Sequence, residues 1–183
     1  MDLISDIIGH FYSGQDELRR ILVKHSTQVR DKALQIAEKL PFEIDRETVI
    51  RGAMLHDIGI IRCHAPSICC HGELDYIAHG ITGAAMLREL DPALEKYARI
   101  CERHTGSGLT ALEIKTAGLP LPELDLLPES LEEKLICLAD KFFSKSKDMA
   151  EKPLPKVRRS MEKFGIEPLK RFDELCALFS VTE

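Results

Sequence analysis

Apolar residues recur along most of the chain at the three- and four-residue spacing of one face of an α-helix. This periodicity predicts helices over about residues 2–11, 16–40, 45–57, 75–90, 92–104, 107–118, 130–140 and 168–179. No alternation of apolar and polar residues, which would indicate a half-buried strand, persists over several positions. The sequence therefore predicts an all-α fold, built as a helical bundle.

Local signals support several of the predicted helix ends. Pro41 ends the second helix, because the residue before a proline disfavours helical geometry. Asp45 is placed to cap the third helix. Ser130 and Glu133 form the S-x-x-E pattern of a capping box at the start of the seventh. Between the third and fourth helices we predict a loop over about residues 59–74.

Composition indicates a single globular unit. The chain has 183 residues, of which 44% are hydrophobic and 30% charged, and this is sufficient for one well-filled core. We predict one domain over residues 1–183, with a core over about 15–145 and a C-terminal helical extension over about 146–183. The last helix is expected to pack on the bundle or on a second subunit, which leaves a homo-oligomer open.

Charge and hydropathy argue against binding to nucleic acid over a broad surface and against insertion into a membrane. A net charge of −5 and a pI near 5.8 argue against a broad nucleic-acid-binding surface, which would need a basic face. The apolar stretches are much shorter than the roughly 20 residues that span a bilayer, so we predict no membrane crossing. The acidic N-terminus does not resemble a secretory signal. We therefore expect a cytoplasmic protein whose six cysteines are reduced.

Polar side chains interrupt the apolar faces of three predicted helices, at His25, Asp57 and Asp140. An ionised carboxylate on a buried face is costly unless it is paired, hydrogen-bonded or bound to a cation. His56, beside Asp57, adds a second type of metal ligand. Gly59 is expected to let the chain turn away just past the helix end. These three helices therefore predict a metal site at the point where their side chains meet.

The chain order of these residues resembles the pattern of the HD superfamily: His25, then His56 and Asp57, then Asp140. The tetrapeptide that ends at Gly59, His-Asp-Ile-Gly, is similar to the HDIG variant of that pattern. The resemblance covers about residues 15–145. It implies a helical core and a metal-dependent phosphohydrolase activity.

Two further segments extend the resemblance, Ala78–Ala84 and Arg103–Gly106. They resemble the extra histidine segments of the HD proteins that bind two metals. Smaller HD proteins that hydrolyse dinucleoside polyphosphates carry similar His-Gly-x-x-Gly-Ala and His-Thr-x-Gly segments. The resemblance therefore implies a nucleotide or another small phosphorylated molecule as the substrate.

The resemblance also implies a set of ligands. One metal would be held by His25, His56, Asp57 and Asp140. Asp57 would bridge to a second metal, which His79 and His104 would also hold. Mixed imidazole and carboxylate ligands suit Mn, Fe, Co, Ni or Zn, with one or two ions per chain. Asp57 and His56 would then form the catalytic centre, where a metal-bound hydroxide attacks a phosphoester or phosphoanhydride.

The substrate's phosphate needs basic side chains to balance its charge. Many HDIG sequences carry a lysine after the glycine, whereas Ile60 stands at that position here. Arg62 and Lys141 are the alternative candidates, and for each of them ordinary surface solvation is the competing interpretation. Basic residues also become frequent after position 145, which indicates either a solvated helix face or a rim that attracts phosphate.

Other functions stay open at this point. Some HD proteins use a di-iron centre to activate oxygen, and the same ligands would serve that reaction. A non-catalytic module that binds a metal and a nucleotide is a further alternative. A loop with free thiols is favoured over a structural zinc site for Cys63, His64, Cys69, Cys70 and His71, because these residues lie in one short loop and lack paired metal-binding knuckles.

Overall fold

The computed structural model describes residues 3–146 and 148–182. Its α-helices are α1 (Leu3–Phe11), α2 (Asp16–Ala37), α3 (Arg46–Leu55), α4 (His79–Leu90), α5 (Glu95–Arg103), α6 (Ala111–Thr116), α7 (Leu131–Asp140), α8 (Leu154–Met161) and α9 (Ile166–Leu178). α2 packs against α3 and α7, while α5 packs against α3, α4 and α7. Within the described ranges, no helix combines the length and apolar character needed to cross a membrane. The predicted all-α class is confirmed.

Side-chain caps fix the starts of two helices that lead into the centre of the bundle. The Asp45 carboxylate accepts a hydrogen bond from the backbone N–H of Thr48 at 3.1 Å, at the start of α3. Ser130 and Glu133 form the reciprocal capping box at the start of α7. Both caps were predicted, and both satisfy N–H groups that a helix leaves without an internal partner.

The segment between α3 and α4 contains the main departure from the predicted elements. It holds two short antiparallel strands, β1 (His64–Ala65) and β2 (Cys70–His71), with His64 opposite His71. The turn between them includes Cys69 in the left-handed region, at φ 61°. The expectation of an uninterrupted loop was wrong here, because strands of two residues are too short to show an alternating pattern.

Four helices, α4, α5, α6 and α9, begin two or more residues away from the predicted starts. α4 begins at His79, because the residues before it form a 3₁₀ turn, Tyr76–Ala78. Such turns are common at helix ends, and apolar spacing alone does not distinguish them from α-helix. α9 begins at Ile166 and packs against α7 and α8, so the last helix covers the bundle itself.

A tyrosine from the N-terminal part of the chain supports the segment that follows α3. Tyr12 is fully buried, and its hydroxyl donates a hydrogen bond to the backbone carbonyl of Ile58 at 2.9 Å. Ile58 begins the 3₁₀ helix Ile58–Arg62 immediately after Asp57. This bond therefore ties the first helical unit to the backbone beside the predicted metal site.

Gly59 is required by close packing. The chain leaves the α3 helix before Gly59, as expected, but the φ of this glycine is not in the left-handed region, so the turn does not depend on its conformational freedom. A Cβ at this position would lie 2.2 Å from the carbonyl oxygen of His79 and 2.4 Å from the backbone nitrogen of Gly83. The glycine lets the segment after α3 lie directly against the start of α4.

We expect Gly59→Ala to destabilise the protein. The added methyl group must push α4 away, because its nearest neighbours are backbone atoms, and overpacking of this kind costs about 1–3 kcal/mol or more. The control is Gly9→Ala in α1, where a Cβ meets nothing within 4 Å, so helix propensity should add about 0.5–1 kcal/mol. Urea unfolding followed by circular dichroism measures both changes. Equal stabilities of wild type and Gly59→Ala would contradict this account of the packing.

Candidate metal centre

Six side chains meet at the centre of the bundle, and they are the six that the sequence analysis named as metal ligands: His25, His56, Asp57, His79, His104 and Asp140. All except His25 lie at a helix end or just beyond one. The histidines and Asp57 are buried, and the side chain of Asp140 is 12% exposed. Ends of several helices therefore bring these side chains together at one point.

The first donor group consists of His25, His56, Asp57 and Asp140. The Nε2 atom of His25 lies 2.9 Å from Asp140 Oδ1 and 3.1 Å from Asp57 Oδ2. The Nε2 atom of His56 lies 3.0 Å from the same Asp57 oxygen and 3.5 Å from Asp140 Oδ1. Two imidazole nitrogens and two carboxylate oxygens thus face one point.

The second donor group consists of Asp57, His79 and His104. Here the other oxygen of Asp57, Oδ1, lies 3.3 Å from Nε2 of His79 and 3.5 Å from Nε2 of His104. The two Nε2 atoms are 3.0 Å apart. Asp57 therefore presents one oxygen to each donor group, which is the arrangement of a bridging carboxylate.

Backbone carbonyls determine which nitrogen of each imidazole faces the centre. The Nδ1 atoms of three histidines donate to the carbonyl three residues earlier, at 2.6–2.7 Å: His56 to Ala53, His79 to Tyr76, and His104 to Cys101. A carbonyl only accepts, so Nδ1 carries the hydrogen and Nε2 of the neutral ring carries the lone pair. This is the second-shell bond that commonly orients metal-ligating histidines.

The contact between His79 and His104 fits a cation. Burial lowers the pKa of His79 to about 3, and nearby His104 opposes the charged form as well. Burial also lowers the pKa of His104. Both rings are therefore neutral at pH 7, and their two lone pairs approach to 3.0 Å with no hydrogen between them. A positive ion near both nitrogens removes that repulsion.

Several buried atoms of the cluster lack a hydrogen-bond partner. Among the residues that the structure describes, these include two atoms that face the centre, Nε2 of His56 and Oδ1 of Asp57. Buried polar atoms are usually paired. Of the contacts between imidazole and carboxylate in the cluster, the one from His25 Nε2 to Asp140 Oδ1, at 2.9 Å, is a hydrogen bond. A divalent metal requires oxygen and nitrogen lone pairs that converge on one point, so the residues present fit a metal.

The charges of the carboxylates also suit a metal. Burial alone would raise the pKa of Asp57, but His56 and Lys145 outweigh it and hold the pKa well below its usual value. Burial likewise opposes ionisation of Asp140, and Lys141 and His25 lower its pKa in the same way. Both carboxylates are ionised at neutral pH, as ligation requires.

A proton competes with a metal at His56. Burial disfavours its charged form, but the adjacent carboxylate of Asp57 outweighs that effect and raises the pKa of His56 to about 9. The ring must release this proton before Nε2 can ligate. Metal binding at the first donor group is therefore coupled to proton release.

Two lysines border the cluster. Lys141 pairs with Asp140 Oδ2 at 2.8 Å and donates to the backbone carbonyl of His104 at 3.1 Å. Lys145 lies 2.5 Å from Asp57 Oδ2, with its side chain 12% exposed. Burial opposes the charge on Lys145, but Asp57 outweighs it and raises the pKa of the lysine. Both ammonium groups are charged beside the proposed ligands.

Lys141 was a predicted candidate for binding phosphate, whereas the approach of Lys145 to the cluster was not predicted. Lys145 follows the end of α7 by five residues, so helical spacing gave no indication of where its side chain lies. Arg62, the other candidate, is exposed, and among the described residues no contact joins its side chain to the cluster. The basic composition after position 145 was the signal that pointed toward this region.

The thiol-rich segment around β1 and β2 does not contribute ligands. Cys63 and Cys70 are buried, free thiols, and burial raises their pKa values to about 11 and about 12. The donor groups found among the described residues contain no cysteine. Thiolates are the form that binds metal, so the structure favours free thiols over a structural zinc site in this segment.

Several curated proteins resemble the chain, among them these three. An uncharacterized protein of Methanocaldococcus jannaschii is 41% identical over 122 residues, or 65% of this chain and 64% of that protein. Two tRNA (cytidine(56)-2′-O)-methyltransferases also match. The one from Picrophilus torridus is 35% identical over 68% of this chain and 32% of its own length. The one from Thermoplasma volcanium is 31% identical over 80% of this chain and 38% of its own length.

The chain thus spans between about a third and two thirds of the length of these relatives. No solved structure matches significantly. The sequence profile of the HD domain matches residues 22–144, which is more than half of the chain and includes all six candidate ligands. The chain belongs to the HD domain family.

Proposed function

We propose that this protein is a divalent-metal-dependent phosphohydrolase. It cleaves a phosphoester or phosphoanhydride bond of a nucleotide or another small phosphorylated molecule. The observation that carries the proposal is the pair of donor groups that share Asp57, with four imidazole Nε2 atoms directed at its two oxygens. Paired metals of this kind occur in phosphatases, nucleases and polymerases.

The chain's own residues would hold and orient the reacting groups. His25, His56 and Asp140 would hold one ion, His79 and His104 a second, and Asp57 would bridge them. When bound, such ions polarise a phosphate and activate a water molecule near neutral pH. Mn, Fe, Co, Ni and Zn all suit this nitrogen and oxygen donor set. Asp57 and His56, both fully buried, would form the catalytic centre.

Two observations bear on the substrate and the compartment. The names of two relatives contain tRNA methyltransferase, so RNA ends belong among the substrates to be tested. The net charge of −5 favours a small molecule over a long polyanion. All six cysteines are free, which fits a reducing cytoplasm as the proposed compartment.

The proposal predicts metal-dependent release of phosphate. The chelator-treated protein is reloaded with Mn, Fe(II), Co, Ni or Zn and assayed with nitrophenyl phosphates, nucleotides, dinucleoside polyphosphates and a phosphorylated RNA oligonucleotide. At least one combination should be hydrolysed. His56→Gln should lower kcat/KM more than about 100-fold, because loss of a group that merely supports a ligand already costs 10–100-fold.

His10→Gln is the matched control, because His10 is an exposed histidine on α1. It should keep wild-type activity. Hydrolysis of none of these substrates with any metal would refute the phosphohydrolase. Oxygen uptake by the iron-loaded protein would instead support the di-iron oxygenase.

A second prediction concerns the number of ions. Plasma mass spectrometry on protein purified without chelators or nickel resin should find close to two ions per chain in the wild type. His79→Ala should fall to about one, because only the second donor group loses a ligand. His64→Ala, an exposed histidine on β1, should leave the count unchanged. One ion in both wild type and His79→Ala would limit the centre to the first donor group.

A third prediction links the metal to stability. An ion that binds only the folded state, at 100 times its Kd, adds about 2.7 kcal/mol to the free energy of unfolding. Asp57→Asn should lose this increment, because both donor groups depend on that carboxylate. Asp31→Asn, whose carboxylate is 61% exposed and pairs with Arg30, should retain it. Thermal unfolding with and without metal measures the increment, and its survival in Asp57→Asn would exclude this carboxylate as a ligand.

A further inference from the structure

A cavity of about 340 Å³ adjoins the candidate metal centre. It lies between the segment around β1 and β2 on one side and the segment after α7 on the other. Its lining residues are Ala65, Ser67, Ile68, Tyr76, Ser144, Lys145 and Ser146. This volume is near the lower end of the range for small-molecule sites. The cavity therefore suits a small ligand or one group of a larger ligand.

Lys145 connects this cavity to the metal ligands. The same side chain that lines the cavity reaches Asp57 Oδ2 at 2.5 Å. Its ammonium group also lies 5.8 Å from the centre of the Tyr76 ring, and that ring stacks on His79 at 4.8 Å with 23° between the planes. A group bound in the cavity at Lys145 would therefore be next to residues of both donor groups.

Most of the remaining polar side chains of the cavity wall carry hydroxyls. Ser67, Ser144 and Ser146 each have one, and Tyr76 has a phenol. The Ser144 hydroxyl donates to the backbone carbonyl of Ser146 at 3.2 Å, so Ser67, Ser146 and Tyr76 are the candidate donors to a ligand. None of the described residues that line the cavity is acidic. A lysine together with hydroxyl donors and no carboxylate is a set that binds an anion, since ammonium groups and O–H donors make their strongest hydrogen bonds to charged oxygen.

Further lysines add positive charge to this side of the centre. Lys152 is partly buried, and its pKa is lowered by burial and by Lys141, Lys156 and Lys145. The charges of the other three lysines therefore reach Lys152. Lys141 and Lys145 are balanced by Asp140 and Asp57, so Lys152 and Lys156 supply the additional positive charge. Glu151, the acidic neighbour of Lys152 in the chain, is engaged elsewhere, because it pairs with Lys32 at 2.6 Å. The local excess of positive charge favours an anionic ligand.

We propose that this cavity binds the phosphate group of the substrate and that Lys145 is the side chain that holds its charged oxygens. The ligand class is a small phosphorylated molecule that presents a phosphate to the lysine and the surrounding hydroxyls. Lys145, placed between the cavity and Asp57, then positions that phosphate beside the metal ligands. The identification of the phosphate as substrate rests on the proposed phosphohydrolase function, whereas its binding at Lys145 is tested separately.

The test measures the binding of inorganic phosphate to the metal-loaded protein by isothermal titration calorimetry. Lys145→Met keeps the length of the side chain and removes its charge. We expect the Kd to rise about tenfold or more, because hydrogen bonds to charged groups are among the stronger ones in proteins. Metal content, measured on the same samples, should stay at the wild-type value.

Two control variants define the specificity of the effect. Lys32→Met removes a lysine of similar exposure, 17%, that lies outside the cavity, and it should leave the Kd unchanged. Arg62→Met removes the exposed arginine and should also bind phosphate as the wild type does. Tyr76→Phe removes only a hydroxyl and keeps the ring on His79. We expect it to raise the phosphate Kd at least threefold. This variant tests the site if Lys145→Met fails to fold.

The outcomes separate this proposal from the proposed function. A Kd within threefold of wild type in Lys145→Met would overturn it, as would a loss of metal in that variant or a larger effect of Arg62→Met. If phosphate binds through Lys145 but no phosphoester is hydrolysed, the binding site stands and the phosphohydrolase fails. If the wild type hydrolyses a phosphoester and Lys145→Met leaves both KM and the phosphate Kd unchanged, the phosphohydrolase stands and the binding site fails.

Discussion

The buried carboxylate of Asp57 is the constraint on which the centre of this protein depends. A fully buried negative charge is unfavourable unless cations or hydrogen-bond donors surround it. Here four imidazoles and one ammonium group lie within 3.5 Å of its two oxygens. Every helix that carries one of those groups must end or pass at this point. The positions of these helices are therefore constrained by the need to surround Asp57.

Three of the imidazoles around Asp57 are oriented by the same local hydrogen bond, from the ring Nδ1–H to a backbone carbonyl. Three of the histidines follow, by three residues, the carbonyl that accepts their Nδ1–H: Ala53, Tyr76 and Cys101 carry these carbonyls. A helix end leaves carbonyls or N–H groups without internal partners, and a histidine placed there uses such a carbonyl to orient its ring. For Ala53 and Cys101, in the last turns of α3 and α5, the bond that fixes the ring also satisfies a carbonyl of the helix end. The Tyr76 carbonyl accepts the backbone N–H of His79 as well as its ring N–H.

Glycines then allow the oriented histidines to approach each other. A Cβ at Gly80 would lie 2.5 Å from the carbonyl of Cys101, and a Cβ at Gly59 would lie 2.2 Å from the carbonyl of His79. Both contacts are between backbones, and no larger residue fits them. The close approach of α4 to α5, and of the segment after α3 to α4, brings the second pair of imidazoles to Asp57.

The parts of this arrangement that follow helical periodicity could be predicted from the sequence. His25, Asp57 and Asp140 interrupt apolar faces, so the periodicity itself indicated that they point inward. His79 and His104 lie at helix ends, where periodicity fades, and only the resemblance to HD proteins identified them. The short strands and Lys145 belong to irregular segments whose paths depend on long-range packing, which a pattern of neighbouring residues does not encode.

The position of Lys145 bears on how charge is distributed at the centre. Asp57 Oδ2 faces Lys145 and the first donor group together, and a carboxylate oxygen has lone pairs enough to serve both. Lys141 stands in the same relation to Asp140, through its other oxygen, Oδ2. Asp140 therefore has imidazoles at one oxygen and an ammonium group at the other, whereas Asp57 has imidazoles at both oxygens and the ammonium group at Oδ2. A phosphate that enters from the lysine side meets positive charge before it reaches the ligands, so its own charge is balanced where the reaction would occur.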